Sequence, residues 1–342
     1  MPELPEVETV ARDLRGLIVG AGISGASVSW PRTLRNLSPD AFDAAVRGRR
    51  IEAVGRRGKQ LVVDLSAGAA LTIHLKMTGQ LFVVSADRPL DPYVRLVIHL
   101  VDGRDLRFRD IRKFGRVGFY EGVDDPLAEL GAEPLDDELT LAAFRHLIRG
   151  RRGRLKSLLL DQTFLAGVGN IYADEALWRA RLHPLRSASS LRSPDVARLY
   201  RAVRNVLSEA VQHRGSSIDD YTAPEGDGEM QERLDVYQRA GLPCRRCGRP
   251  IRRVVTGGRA THFCSWCQRL TAVDRRAARR ILATMTPRPG TEAGRGGGRW
   301  TELPIGEGED EPVGLAALRE RAQRTRSAAA TRRASARAAV GG

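Results

Sequence analysis

The sequence predicts an α+β protein: an amphipathic N-terminal helix, an antiparallel β-sandwich or barrel, a helical region, and a cysteine-held β-hairpin. Three observations carry this. Between about residues 23 and 120, short apolar runs (ISGASVSW, LVVDL, ALTIHL, QLFVV, YVRLVIHLV, LRFRDI, GRVGFY) alternate with turn residues, as consecutive antiparallel strands do. From about 140 to 214 the apolar spacing becomes helical, in AAFRHLIRG, LKSLLLDQ, IYADEALWRARL and SPDVARLYRAVRNVLSEAVQHR. Two Cys-x2-Cys pairs, Cys244/Cys247 and Cys264/Cys267, then bracket a 16-residue segment of hairpin character.

The first helix follows the opening MPELPEVETV, where Leu4, Val7, Val10, Ala11, Leu14 and Leu17 recur at helical spacing. Pro5 suits a first helical turn, and Glu6 and Glu8 favour the positive end of the helix dipole. Pro2 is not explained this way. A proline in second position permits removal of Met1, which would leave Pro2 with a free secondary amine. An α-amino group has a pKa of about 7.7 to 8.0, against about 10.4 for lysine, so a usable fraction is nucleophilic at neutral pH. Attack on a sugar C1′ would yield an iminium with no N–H to lose, and Glu3 stands beside it to move the proton. The alternative is purely structural, since Pro and Glu near helix starts are common.

The chain has 342 residues and a net charge of +15, which points to a polyanionic partner, nucleic acid first among them. Arginine supplies nearly all of it. Only Lys59, Lys76, Lys113 and Lys156 are lysines among 56 Lys plus Arg, and a site needing a compact, deprotonatable ammonium cannot accept arginine. No apolar run reaches membrane-spanning length and the start lacks a secretory pattern, so a cytoplasmic protein is expected.

The segments divide as 1–123 (sandwich), 124–139 (acidic linker, DDPLAELGAEPLDDE within it), 140–230 (helical), 231–272 (cysteine region) and 273–342 (basic tail). From 275 to 342 there are 14 Arg against 7 Asp plus Glu, a net of +7, which leaves +8 for the remainder. The tail is expected to be disordered, with at most a short helix around GLAALRERAQR, and either binds phosphates loosely or is dispensable.

Two Cys-x2-Cys knuckles on facing turns supply four thiolates in a tetrahedron, the closed coordination of structural zinc. A disulfide fits poorly with cytoplasmic features, and a redox pair would leave the other two cysteines unexplained. With four thiolates present, His262 is surplus. Between the pairs, GRPIRRVVTGGRATHF carries Arg252, Arg253 and Arg259, which could reach a DNA groove or stay solvated.

Together these features resemble the formamidopyrimidine-DNA glycosylase family, within the wider endonuclease VIII superfamily. The resemblance spans residues 1 to about 272. It rests on MPELPEVET, GRRGKQLVVDL, HLKMTGQL, DIRKFGRV, GVGNIYADEALW and CRRCGRPI…GRATHFCSWCQ, in that order. It implies a β-sandwich domain, a helix–two-turn–helix domain and a zinc β-hairpin, in a bacterial, nucleoid-associated monomer that binds one structural Zn2+. Its partner would be double-stranded DNA containing oxidised bases or abasic sites. Pro2 is implied as nucleophile, Glu3 as the acid assisting sugar ring opening, Lys59 as a group beside the lesion, and Glu6 as their support. The everted base leaves a vacancy that Met77, Arg112 and Phe114 would fill; by residue type alone Met77 and Phe114 would be core. Lys156, Asn170 and Arg259 are implied phosphate contacts, Asn170 at the start of a helix beginning at Ile171.

One stretch departs from the family pattern. Residues 216 to 233, SSIDDYTAPEGDGEMQER, are acidic and lack the lysine, proline, glycine and aromatic run of the loop that closes over an oxidised purine. An endonuclease VIII-like preference for oxidised pyrimidines is therefore the alternative substrate class. Two readings from other classes are a non-catalytic zinc-dependent DNA-binding protein and a nucleoid or RNA-associated protein acting through its tail.

Overall fold

The computed structural model describes residues 1–122, 126–217 and 228–284, all inside one compact unit, Met1–Thr291. The body of the acidic stretch at 216–233 and the helix expected around GLAALRERAQR lie outside the described residues.

Helix α1 (Leu4–Ile18) buries Leu4, Val7, Val10, Ala11, Leu14 and Ile18. Leu17, expected on that stripe, is exposed instead. The 4-7-11-14 progression reaches the core again at 18, one residue later. Strands β1 (Ile23–Val28), β6 (Val94–Leu100), β7 (Arg104–Asp110) and β5 (Gly79–Ser85) form one antiparallel sheet in that order. Strands β2 (Ile51–Arg57), β3 (Gln60–Leu65), β4 (Ala69–His74) and β8 (Arg116–Glu121) form the second. A short helix α2 (Pro39–Val46), capped by Ser38, follows β1. Ile98, Leu106 and Phe108 of the first sheet share one buried cluster with Val63, Leu71 and Ile73 of the second, so the sheets close as a sandwich.

Helices α3 (Leu141–Ile148), α4 (Leu155–Leu160), α5 (Asn170–Arg179) and α6 (Ser193–Gln212) enclose a separate core, in which Phe144, Leu159, Tyr172 and Leu199 are buried. Two turns separate α4 from α5. Helix α1 joins the cores, because Leu4 belongs to the helical cluster and Val7 to the sandwich cluster.

The segment read as a linker is packed down where it is described. Glu133 pairs with Arg56 at 2.6 Å and Arg57 at 3.0 Å, Gly131 N donates to Gln162 O, and Arg204 donates to the Pro134 carbonyl. Strands β9 (Arg252–Thr256) and β10 (Arg259–Phe263) pair antiparallel between the cysteine pairs. The tail begins later than 273: helices α7 (Ala272–Ala277) and α8 (Arg279–Leu282) continue the fold. Asp274 is buried there and accepts hydrogen bonds from Ser187 N and Ser190 Oγ, which fastens α7 to the segment between α5 and α6.

Candidate active site

The N-terminus opens onto a cavity of about 320 Å³ lined by Met1, Lys59, His74, Lys76, Gln162 and Arg259, with Gln60, Leu130 and Leu160. Pro2 is buried and Met1 is exposed, so in the unprocessed chain the methionine occupies the position from which Pro2 would meet solvent.

Glu3 is 2% exposed. Its carboxylate accepts from Ile171 N at 2.9 Å and Tyr172 N at 3.4 Å, at the positive N-terminus of α5. The GVGN glycines make room for it. Gly167 has φ +88, and its carbonyl accepts from Leu4 N at 3.0 Å. A Cβ on Gly169 would lie 2.2 Å from Glu3 Cδ. Burial raises the Glu3 pKa, against the pull of Lys59; burial lowers that of Lys59, against the pull of Glu3. Desolvation thus disfavours the charged form of each group, while the charge of the other favours it. Lys59 itself stands on the β2–β3 turn, after Gly58 at φ +58.

Glu6 is buried and fully engaged: its carboxylate accepts from Glu3 N at 2.8 Å, Ser216 N at 2.8 Å and the Tyr172 hydroxyl at 2.5 Å. It fixes the backbone of the residue beside Pro2. Burial and Glu6 push the Tyr172 hydroxyl well above its ordinary pKa, so it remains a donor.

Met77 is half-buried on the β4–β5 turn, while Arg112 and Phe114 are exposed on the β7–β8 turn. Phe114 is 47% exposed, which removes the core reading, and the Arg112 guanidinium lies 5.0 Å from its ring centroid. Thr78 binds the two turns together, accepting from Arg112 N at 3.2 Å and donating to Asp110. Asp110 also accepts from Gly115 N at 2.7 Å. It opens the DIRKFG motif, which was the signal available for it.

Asn170 is the first residue of α5, with Gly169 as N-cap. It does not cap a helix starting at Ile171; the Glu3 carboxylate takes those N–H groups. The Asn170 Oδ1 is buried without a hydrogen-bond partner. Arg259 is exposed at the start of β10, whereas Arg252 is buried rather than solvated. Lys156, expected at a phosphate, is 1% exposed. Its Nζ lies 2.7 Å from Asp174 Oδ1 and donates to the Ala260 carbonyl at 2.9 Å, so its ammonium is spent inside the protein.

Three participants escaped sequence reading. His74 lines the cavity, burial lowers its pKa to about 3, and its Nδ1 accepts from Lys76 N. Asp174 and Glu175 are buried in α5, where Glu175 accepts from the backbone N–H groups of Asp235, Val236 and Tyr237. The only signal was an acidic pair on a helix otherwise turned to the core.

The four cysteine Sγ atoms lie within 4.8 Å of one another, with Cys247 to Cys264 at 3.5 Å and Cys244 to Cys267 at 4.0 Å. A zinc ion with Zn–S bonds of about 2.3 Å in a tetrahedron sets its sulfurs about 3.8 Å apart. Cys244, Cys247, Cys264 and Cys267 therefore fit one structural zinc. No described helix is long and apolar enough to cross a membrane.

Family models match three consecutive stretches: the formamidopyrimidine-DNA glycosylase N-terminal domain at 1–117, the formamidopyrimidine-DNA glycosylase H2TH domain at 130–222, and a zinc finger found in FPG and IleRS at 241–270. The chain is 47% identical over 272 residues to the formamidopyrimidine-DNA glycosylase of Herpetosiphon aurantiacus, covering 78% of this chain and 100% of that one. The crystal structure of the MutM (FPG) protein from Thermus thermophilus aligns with TM-score 0.70 at 46% identity, covering 78% of this chain and 98% of that one. A Lactococcus lactis FPG mutant in complex with Fapy-dG-containing DNA aligns with TM-score 0.74 at 34% identity, covering 78% and 100%. The N-terminal cavity, the helix–two-turn–helix core and the cysteine-bracketed hairpin thus follow one another as the matched models do, and the chain belongs to the formamidopyrimidine-DNA glycosylase family of DNA-repair glycosylase/lyases.

Proposed function

We propose that this chain excises oxidised purines, 8-oxoguanine and formamidopyrimidines, from double-stranded DNA through a Schiff base on Pro2, then cuts the strand by β,δ-elimination. The observation that carries this reading is the convergence of the N-terminus, Lys59 and Arg259 on one cavity, with Glu3 buried beside Pro2. Once Met1 is removed, the Pro2 nitrogen attacks C1′ and the base departs with the glycosidic electron pair. The nitrogen, having released its proton, then expels O4′, which takes a proton from Glu3, and a cationic iminium remains. That cation acidifies C2′. Loss of a C2′ proton expels the 3′ phosphate, and a second elimination expels the 5′ phosphate. Lys59 assists base departure, and Glu6 holds the Glu3 backbone.

Met77, Arg112 and Phe114 occupy the vacancy left by the everted nucleotide. Asn170, at the start of α5, and Arg259, on the zinc hairpin, hold the lesion-side phosphate. In this reading residues 1–123 carry the chemistry, 140–230 and 231–272 the DNA grip, and the chain works as a monomer on chromosomal DNA in the cytoplasm. Borohydride trapping tests it: Met1-processed, zinc-loaded protein should become covalently bound to duplex carrying 8-oxoguanine. No adduct, alongside an active control, would overturn it.

A second substrate reading has one specific observation behind it, the acidity of residues 216 to 233. Incision of duplexes carrying thymine glycol in preference to 8-oxoguanine would establish an oxidised-pyrimidine preference instead.

A further inference from the structure

The ammonium of Lys156 is buried between two groups that belong to different elements. Asp174 on α5 lies 2.7 Å away, and the carbonyl of Ala260 on β10 accepts from it at 2.9 Å. Asp174 in turn accepts from His262 N at 2.8 Å through its other oxygen. Lys156 and Asp174 therefore grip β10 at two alternate residues, 260 and 262.

Alternation has a geometric meaning. In a two-stranded antiparallel ladder, every second residue of a strand turns its N–H and C=O to the partner, and the residues between turn theirs outward. Ala260 and His262 are the outward ones, so Arg259, Thr261 and Phe263 face β9. A hairpin this short is marginal alone, and its outer edge is unpaired. The Lys156–Asp174 pair takes the place of a third strand along that edge. Immediately beyond lies the tip, where Gly257 and Gly258 both have positive φ and give the backbone its greatest freedom. Arg259, which lines the cavity, is the first residue after those glycines and directly precedes Ala260.

We propose that Lys156 is a positioning residue: its buried ammonium, with Asp174, fixes the backbone at 260 so that the Arg259 guanidinium is presented at the lesion-side phosphate. The inference rests on the reading of Arg259 as a phosphate contact. It places Lys156 outside the set of groups that touch DNA and makes its effect dependent on Arg259.

A double-mutant cycle on the full-length, processed, zinc-loaded protein tests this, with Lys156→Leu, Arg259→Ala and the pair. The probe is a duplex containing a tetrahydrofuran abasic analogue, measured across a range of salt. Each single variant should weaken binding about tenfold and lower the slope of log affinity against log salt by about one. The double variant should be no weaker than Arg259→Ala alone, with its slope lowered once, while each protein still holds one zinc. Additive losses, with the slope lowered by about two, would mean that Lys156 meets a phosphate itself and would overturn the positioning role only. No effect of Arg259→Ala would overturn the phosphate reading and the inference together. Should Lys156→Leu shed its zinc because Asp174 is left charged and unpaired, Lys156→Met combined with Asp174→Asn removes both charges, and the same cycle decides.

Discussion

The carboxylate of Glu3 accepts a hydrogen bond from the backbone N–H of Ile171 at 2.9 Å, across 168 residues of chain. Through it the residue beside the proposed nucleophile is held by a helix of the other core. Gly169 leaves the space: a Cβ there would come 2.2 Å from Glu3 Cδ. Gly169→Ala should therefore displace the carboxylate and cut single-turnover incision by about 10²-fold or more, the usual worth of a positioned acid. The denaturant midpoint should move far less. Unchanged incision would separate Glu3 from the chemistry.

Phe114 separates wedge from core. At 47% exposure, Phe114→Ala should change stability by no more than about 0.5 kcal/mol, as surface substitutions do. Incision at 8-oxoguanine in duplex should fall steeply, while cleavage of an abasic site in single-stranded DNA, which needs no vacancy filled, should persist. A large stability loss would restore the core assignment.

His183 should give the fold an acid limit. It is buried against the Phe263 ring, its Nδ1 accepts from Leu185 N, and burial lowers its pKa to about 3. Its folded pKa lies below the unfolded one, about 6.5. The stability it confers is thus complete above pH 6.5 and drains away as pH falls toward 3. Between pH 6.5 and 5 the loss is about 2 kcal/mol. Urea unfolding at both pH values should show it, and His183→Asn, which keeps an acceptor near Nδ1, should flatten the dependence.

Glu175 acts in the opposite sense. Burial raises its pKa to about 7, although three backbone N–H groups favour its charged form. Its stabilising effect is complete below the unfolded value of about 4.3 and is lost as pH rises through 7. Glu175→Gln should weaken the decline in melting temperature between pH 6 and 8.

Removing zinc should uncouple grip from body. Chelation removes the ion that ties the four cysteines together, the thiolates take up protons as the metal leaves, and the hairpin bearing Arg259 loses its base. Binding to the abasic-analogue duplex should collapse, while the sandwich core, which shares no residue with the cysteine cluster, should keep its β-sheet circular dichroism. Truncation after residue 284, by contrast, should leave incision nearly intact and chiefly lower salt-sensitive affinity for undamaged DNA.

Much of this was legible in the residues. Short apolar runs punctuated by turn residues between 23 and 120, helical spacing from 140 to 214 and two cysteine knuckles are local patterns, and each specifies its element without reference to the rest of the chain. The stripe of α1 closes on Ile18, one residue after Leu17, and the fold continues to Leu282, about ten residues beyond 273, because a helix stripe's last contact and a terminal helix's docking depend on what lies opposite. The linker was misread for the same reason: acidic composition suggests solvent until Arg56 and Arg57 are found facing Glu133.

By itself the sequence determined the element types and the thiolate set for zinc, since these depend on side-chain identity and short spacing. Only the tertiary structure decided the environment of each group. It buried Glu3 at the N-terminus of α5 and turned Lys156 inward to Asp174 and Ala260 rather than out toward DNA. Ionisation and reach are set by desolvation and by partners up to 168 residues away in the chain, and no local pattern encodes those distances.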